Sequence, residues 1–128
     1  MPDTVSVLII DDDQPVRSLL STILGSKFDC SSAESAGAAI TRMETQVFDV
    51  VLLDLGLPGM SGLALCRLIV NRCPNTVVIV ISGNTDDQSI ADAMKAGAID
   101  YLKKPFNLAD VVATVDRAIS DRRPNRVA

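Results

Sequence analysis

Two apolar runs, Val50-Val51-Leu52-Leu53 and Val77-Val78-Ile79-Val80-Ile81, carry no polar residue on either side of the pleat. A strand with one wetted face alternates apolar and polar residues; one that does not alternate is covered on both faces, as in a parallel sheet between two layers of helices. The first run leads directly into Asp54, and Gly56-Leu57-Pro58-Gly59 then breaks the strand. Asp54 is therefore expected where a buried strand opens into the crevice at the carboxyl edge of the sheet. Taken alone, an aspartate there is as well explained as a turn or cap residue.

The rest of the chain alternates strand with helix. Val5 to Ile10 reads as a buried first strand ending in Asp11-Asp12-Asp13, and Val16, Leu19, Leu20, Ile23 and Leu24 then recur at helical spacing, with Pro15 in the first turn and Gly25 at the end. Lys27 to Ser32 is a more polar strand suited to a sheet edge, and Ser35 can cap a helix reaching about Glu44 along Ala36, Ala39, Ile40 and Met43. A strand near 49–53 precedes a helix from Ser61 to Arg72 presenting Leu65, Cys66, Ile69 and Val70, closed by Pro74. The strand 76–81 runs into Ser82-Gly83-Asn84, a helix follows from about Asp87 to Ala96 before Gly97, and Ile99 to Leu102 forms a short last strand ending in Lys103-Lys104-Pro105-Phe106. Asn107 caps a final helix with Leu108, Val111, Val112, Val115 and Ile119 on one face, and a polar tail that frays begins at Asp121. Five strand–helix units imply right-handed crossovers and a parallel sheet covered on both faces. The polar groups Asp11, Asp12, Asp54, Ser82 and Lys104 all fall on connections at the carboxyl ends of strands.

Composition narrows what such a crevice can do. The 128 residues suit one domain, placed here at residues 1–121 with 122–128 as a tail or the start of a linker. A net charge of −4 and 3 % aromatic residues argue against direct nucleic-acid binding. There is no histidine, so histidine general-base chemistry, a Cys/His nucleophile pair and a phosphohistidine carrier are all excluded. Cys30, Cys66 and Cys73 lack metal-ligand spacing and read as buried, reduced thiols, consistent with a cytoplasmic protein. Met1-Pro2-Asp3 does not begin a signal peptide, and the longest uncharged run, Cys73 to Thr85, falls short of the ~20 residues of a membrane-spanning helix.

Three carboxylates crowded into one crevice repel one another unless a cation compensates them, and all-oxygen ligation suits Mg²⁺, or alternatively Mn²⁺. Asp11 and Asp12 are assigned to the metal and Asp13 to capping the first helix. A carboxylate with an ordinary pKa of ~3.9 is ionised at neutral pH and can attack phosphorus without a general base. The Lys104 ammonium and the Ser82 hydroxyl can serve the transferring oxygens. The set points to phosphoryl transfer onto Asp54.

These residues resemble the receiver domain of two-component signalling, the chemotaxis-type response regulator family, over about residues 5–120. The resemblance rests on Asp11-Asp12 with Arg17 five residues after Asp12; on Asp54-Leu55-Gly56-Leu57-Pro58 with Gly62; on Ser82-Gly83; on Tyr101; and on Lys104-Pro105-Phe106. It implies a flavodoxin-like (βα)5 domain with a five-stranded parallel sheet of order 2-1-3-4-5. It further implies that Asp12, Asp54 and the Gly56 carbonyl bind Mg²⁺ directly while Asp11 acts through water, that Asp54 is the phosphoacceptor, and that Ser82 and Tyr101 form a switch. The resemblance also implies that Gly56 and Asn84 flank the path of the hydrolytic water. Ser61 stands where many relatives have aspartate, and Thr114 where winged-helix regulators carry an arginine of a charged dimer interface. The run Ala93 to Tyr101 is closer to nitrogen-regulation and nodulation-type receivers.

The expected protein is a phosphorylation-activated switch rather than a metabolic enzyme. Its expected partners are a sensor histidine kinase or phosphotransfer protein and a downstream output domain or protein, reached through the face of the fourth helix, fifth strand and fifth helix. No membrane contact is expected, and a dimer that forms on phosphorylation is compatible with that face. Two rivals share the sheet edge. A Mg²⁺-dependent aspartyl phosphatase would need a second aspartate two residues after the nucleophile, where Gly56 stands; a non-phosphorylated pseudo-receiver would not need the intact acid, hydroxyl and lysine positions.

Overall fold

The computed structural model describes residues 4–83 and 87–127, with side chains through Asp121. Asn84, expected beside the water path, lies outside the described residues. Ten elements alternate: β1 (Ser6–Ile10), α1 (Gln14–Leu24), β2 (Asp29–Ala33), α2 (Ala36–Thr45), β3 (Val50–Asp54), α3 (Gly62–Arg72), β4 (Val77–Ser82), α4 (Asp87–Lys95), β5 (Asp100–Lys103) and α5 (Leu108–Val127). The sheet is parallel throughout and ordered β2-β1-β3-β4-β5. The expected flavodoxin-like topology is the observed one, with β3 at the centre and the more polar β2 at an edge.

The pleat divides the apolar side chains between two layers. Leu8, Ile10, Val51, Leu53, Val78 and Val80 pack on one side with Ala39, Leu65 and Ile69 of α2 and α3. Val7, Ile9, Val50, Leu52, Ile79 and Ile81 pack on the other with Leu20, Leu24, Val111 and Val115 of α1 and α5. Both faces of the central strands are buried, which is why their sequence does not alternate.

Caps and close contacts hold the helices at the site. Ser35 Oγ accepts from Ala38 N at 3.1 Å, Ser61 Oγ from Ala64 N at 3.0 Å and Asn107 Oδ1 from Asp110 N at 2.8 Å. At Gly62, the first residue of α3, a Cβ would stand 2.4 Å from Leu55 Cα, so only glycine lets α3 start against the loop leaving β3. Gly97 follows α4 with φ +118°, and a Cβ there would meet Val70 at 2.7 Å.

Several local expectations shift. Leu19 is 49 % exposed and Leu108 58 % exposed, because the buried stripes of α1 and α5 run through Leu20 and Leu24 and through Val111, Val115 and Ala118. Asp13 stands at the N-cap position of α1 but its side chain makes no capping bond; its backbone N–H is instead turned onto Asp11. Cys66 is buried as expected, whereas Cys30 and Cys73 are half-buried, since they sit on the edge strand and at the open end of α3. Thr114, on α5, is buried at 4 % exposure. Helix α5 continues to Val127 instead of fraying at Asp121. Among the described residues, no helix is long and apolar enough to cross a membrane.

Candidate functional site

Parallel register carries the strand ends to a single edge. Ile10 pairs with Leu53, Asp54 with Ile81 and Ser82 with Lys103, so the residues that follow each strand emerge side by side. Asp11, Asp12 and Asp54 each offer a carboxylate oxygen, all within 4.8 Å of one another. Their environments differ sharply. Asp11 has no exposed surface and Asp54 is 5 % exposed, while Asp12 faces solvent.

Each buried acid has one oxygen tied to the backbone. Asp13 N donates to Asp11 Oδ1 at 2.9 Å and Gly56 N to Asp54 Oδ1 at 2.9 Å, two-residue clasps that leave Oδ2 aimed into the crevice. Lys104 Nζ lies 3.1 Å from Asp11 Oδ2 and 3.6 Å from Asp54 Oδ2. Among the described residues, the buried Asp11 Oδ2 has the Lys104 ammonium as its ion-pair partner and makes no hydrogen bond. Burial pushes the Asp11 carboxyl above its usual range; the Asp13 N–H pulls it down, the Asp54 charge pushes it up and Lys104 pulls it down, with a net rise. For Lys104, burial pulls the ammonium down, but Asp11 and Asp54 outweigh it and the net shift is upward. The two directions agree: the ammonium is stabilised by its neighbours, while desolvation of Asp11 exceeds what one lysine returns.

That imbalance is the test of fit for a cation. A buried carboxylate oxygen without a hydrogen bond, a second acid within reach and a third open to solvent make a hard, all-oxygen, divalent-cation-ready set. Next to it a cleft of about 310 Å³ is lined by Asp54, Gly56, Ser82, Ser89 and Lys104. Gly83 also lines the cleft, and a Cβ there would make an ordinary contact with Lys104 Cδ at 3.6 Å. The Lys104–Pro105 peptide is cis.

The structure thus brings together Asp11, Asp12, Asp54, Gly56, Ser82 and Lys104. Tyr101, on β5, points outward with 43 % exposure at the rim of the groove between β5 and α5. Two participants were not singled out as site residues from the sequence. Ser89 of α4 lines the cleft, and its only signal is a small polar residue adjacent to the inward Ile90. Arg17 Nη1 donates to the Asp11 carbonyl at 2.7 Å, a partner that spacing alone does not reveal.

Fold and site together define a doubly wound α/β domain with a cation-ready acidic crevice and a lysine at the carboxyl edge of its sheet. The chain belongs to the response regulator receiver domain family, whose model matches residues 7–116. It is 41 % identical over 113 residues to the DNA-binding transcriptional regulator NtrC of Klebsiella pneumoniae, covering 88 % of this chain and 24 % of that protein. It thus spans about a quarter of the length of the NtrC proteins it matches. NtrX from Brucella abortus superimposes with a TM-score of 0.92 at 28 % identity, over 96 % of this chain and 29 % of the other. A CheY-like receiver domain protein from Methanospirillum hungatei JF-1 shares the fold at a TM-score of 0.91 and 24 % identity, over 96 % of this chain and 99 % of the other.

Proposed function

We propose that this receiver accepts a phosphoryl group on Asp54 from the phosphohistidine of a sensor histidine kinase or phosphotransfer protein, and that the modified state switches an output surface. The observation that carries the reading is the placement of Asp54: buried at the end of the central strand, within reach of the metal acids on one side and 3.6 Å from Lys104 on the other.

Asp12, Asp54 and the Gly56 carbonyl would hold Mg²⁺ directly, with Asp11 acting through water; Mn²⁺ suits the same donors. When bound, the cation neutralises phosphoryl oxygens and lowers the repulsion that Asp54 meets. An oxygen of Asp54 attacks phosphorus as the P–N bond to the donor imidazole breaks, and the imidazole leaves with the bonding pair. Lys104 brings its ammonium to one phosphoryl oxygen, and the Ser82 hydroxyl donates to another. The domain would also hydrolyse its own acyl phosphate, with residue 56 beside the water path.

Movement of Ser82 toward the phosphoryl group vacates space into which Tyr101, now outward, turns. This biases the face built from α4, β5 and α5 toward its active form. Met94, Ile99 and Tyr101 already expose apolar surface there, suited to a downstream domain or protein, or to a dimer formed on phosphorylation. The expectation of no nucleic-acid contact applies to the receiver alone, since relatives such as NtrC are named as DNA-binding regulators and this chain spans only part of their length. A cytoplasmic setting suits phosphotransfer from a kinase. The aspartyl phosphatase reading loses its acid/base at Gly56, and the pseudo-receiver reading leaves the convergence of acids, hydroxyl and lysine without a purpose.

The test is incubation with Mg²⁺ and a small phosphodonor. The parent should gain one phosphoryl group and Asp54→Ala none; equal labelling of the two would discard the assignment.

A further inference from the structure

The turn that presents the acid pair is held at three points. Asp11 N donates to Ala33 O at 3.1 Å, which sets the turn against the edge strand. Asp13 N donates to Asp11 Oδ1 at 2.9 Å, and Arg17 Nη1 donates to Asp11 O at 2.7 Å. The last two differ in what they use. The Asp13 clasp occupies a carboxylate oxygen, the kind of atom a divalent cation or its water shell also requires. The Arg17 bond occupies a backbone carbonyl that takes no part in the proposed ligand set. It is short, charge-assisted and half-buried, and it springs from the first turns of α1, whose own backbone starts with Arg17 N donating to Asp13 O at 3.1 Å.

We propose that Arg17 is a positioning residue for divalent-cation binding: its guanidinium holds the Asp11 carbonyl, so that the turn carrying Asp11 and Asp12 keeps its shape whether or not the carboxylates are engaged. The inference rests on the reading of this crevice as a Mg²⁺ site. Asp12 faces solvent and is the acid most dependent on the turn for its direction, because the burial that fixes Asp11 does not hold it. Without the guanidinium, the turn keeps only the Asp11 N–Ala33 O bond and the Asp13 clasp, and the direction of Asp12 is held less firmly when a cation binds. Preorganisation of this kind appears as affinity rather than as fold.

Charge alone predicts the opposite. Arg17 places a positive charge beside a cation site, so if it acted only through space its removal would tighten Mg²⁺ binding. The two roles therefore differ in sign, and a purely structural role differs from both by moving the melting temperature of the metal-free chain without moving affinity.

The experiment is a Mg²⁺ titration of the full chain followed by backbone amide NMR shifts, with thermal melts of the metal-free proteins alongside. Arg17→Ala should weaken Mg²⁺ binding about tenfold, the usual scale for losing a charge-assisted hydrogen bond. Its metal-free amide shifts should change most at residues 11–14. Arg17→Lys, which keeps a donor on a long stem, should stay within about threefold of the parent. Affinity in Arg17→Ala equal to the parent's, or tighter, overturns the inference, as does an Arg17→Lys variant as weak as Arg17→Ala. If Arg17→Ala does not fold, Arg17→Gln carries the same test, because its shorter stem cannot reach the Asp11 carbonyl. A parent that binds no Mg²⁺ removes the underlying reading together with the inference; a parent that binds while Arg17→Ala matches it removes the inference alone.

Discussion

The two edges of this sheet are made by the same strands and treat their carboxylates in opposite ways. At the amino edge, Asp49 Oδ2 accepts from Ser6 N at 2.9 Å and from Ser6 Oγ at 3.3 Å, and Ser6 Oγ in turn receives Asp49 N at 3.2 Å. Thr76 Oγ1 donates to Phe48 O at 2.6 Å beside them. These side chains tie β1, β3 and β4 together where their strands begin. At the carboxyl edge, Asp11 and Asp54 each spend one oxygen on a local N–H and leave the other facing a like charge and a shared lysine. One edge uses its carboxylate to close backbone bonds, and the other leaves the buried Asp11 Oδ2 without a hydrogen bond among the described residues. A fold that is marginally stable can carry such a deficit at one edge only when the opposite edge and the two apolar layers are well satisfied.

The widest expected separation between the edges is in cation affinity. Asp12→Ala should lower Mg²⁺ affinity by about a hundredfold, on the order of 2.7 kcal/mol, while Asp13→Ala changes it little. Amide shifts or calorimetry during a Mg²⁺ titration measure this, and the reverse order would shift the ligand register by one residue. At the amino edge, Asp49→Ala should leave Mg²⁺ affinity alone and cost about 2 kcal/mol of stability, since it takes the side-chain acceptor from the half-buried Ser6 N–H. Urea unfolding of the metal-free chain measures it; a change in Mg²⁺ affinity instead would erase the distinction between the edges.

Gly56 permits a finer test. A Cβ at this position would stand 3.5 Å from Asp54 Oδ1, an ordinary contact that directs a side chain over the acceptor without displacing it. Gly56→Met should slow decay of the phosphorylated form about tenfold at saturating Mg²⁺, which needs only ~1.4 kcal/mol of added barrier. Equal or faster decay would show that residue 56 does not gate the water.

The smallest expected effect has the most informative sign. Because burial raises the Asp11 carboxyl above its usual range, the ionised group costs the metal-free fold stability, and that cost grows as pH rises through the raised value. Asp11→Asn should therefore raise the metal-free melting temperature by a few degrees near neutral pH, and the difference from the parent should shrink as pH falls through that range. A lower melting temperature for Asp11→Asn at neutral pH would mean that the Lys104 ion pair outweighs the burial of Asp11.

How far the sequence could be read depended on whether a signal was local. The strands with no alternation, the caps at Ser35 and Asn107 and the acids at the ends of β1 and β3 are properties of neighbouring residues, and they appear where the pattern put them. Leu19 and Leu108 fit helical spacing and are nevertheless exposed, because an apolar stripe can be wider than the neighbour that covers it. Asp13 stands at the cap position as expected, but its N–H is drawn to Asp11, a choice between two local bonds that composition does not decide.

By itself the sequence determined a parallel five-strand alternation with acids, a hydroxyl and a lysine at the carboxyl ends of strands, because burial on both faces and the order of elements are written along the chain. Only the tertiary structure decided which acid is buried, that Lys104 stands nearer Asp11 than Asp54, that Tyr101 is outward, and that Ser89 and Arg17 join the site. Those facts depend on distances between residues on different elements. Such distances are set by how helices seat on the sheet and how strand ends splay, and no spacing along the chain encodes them.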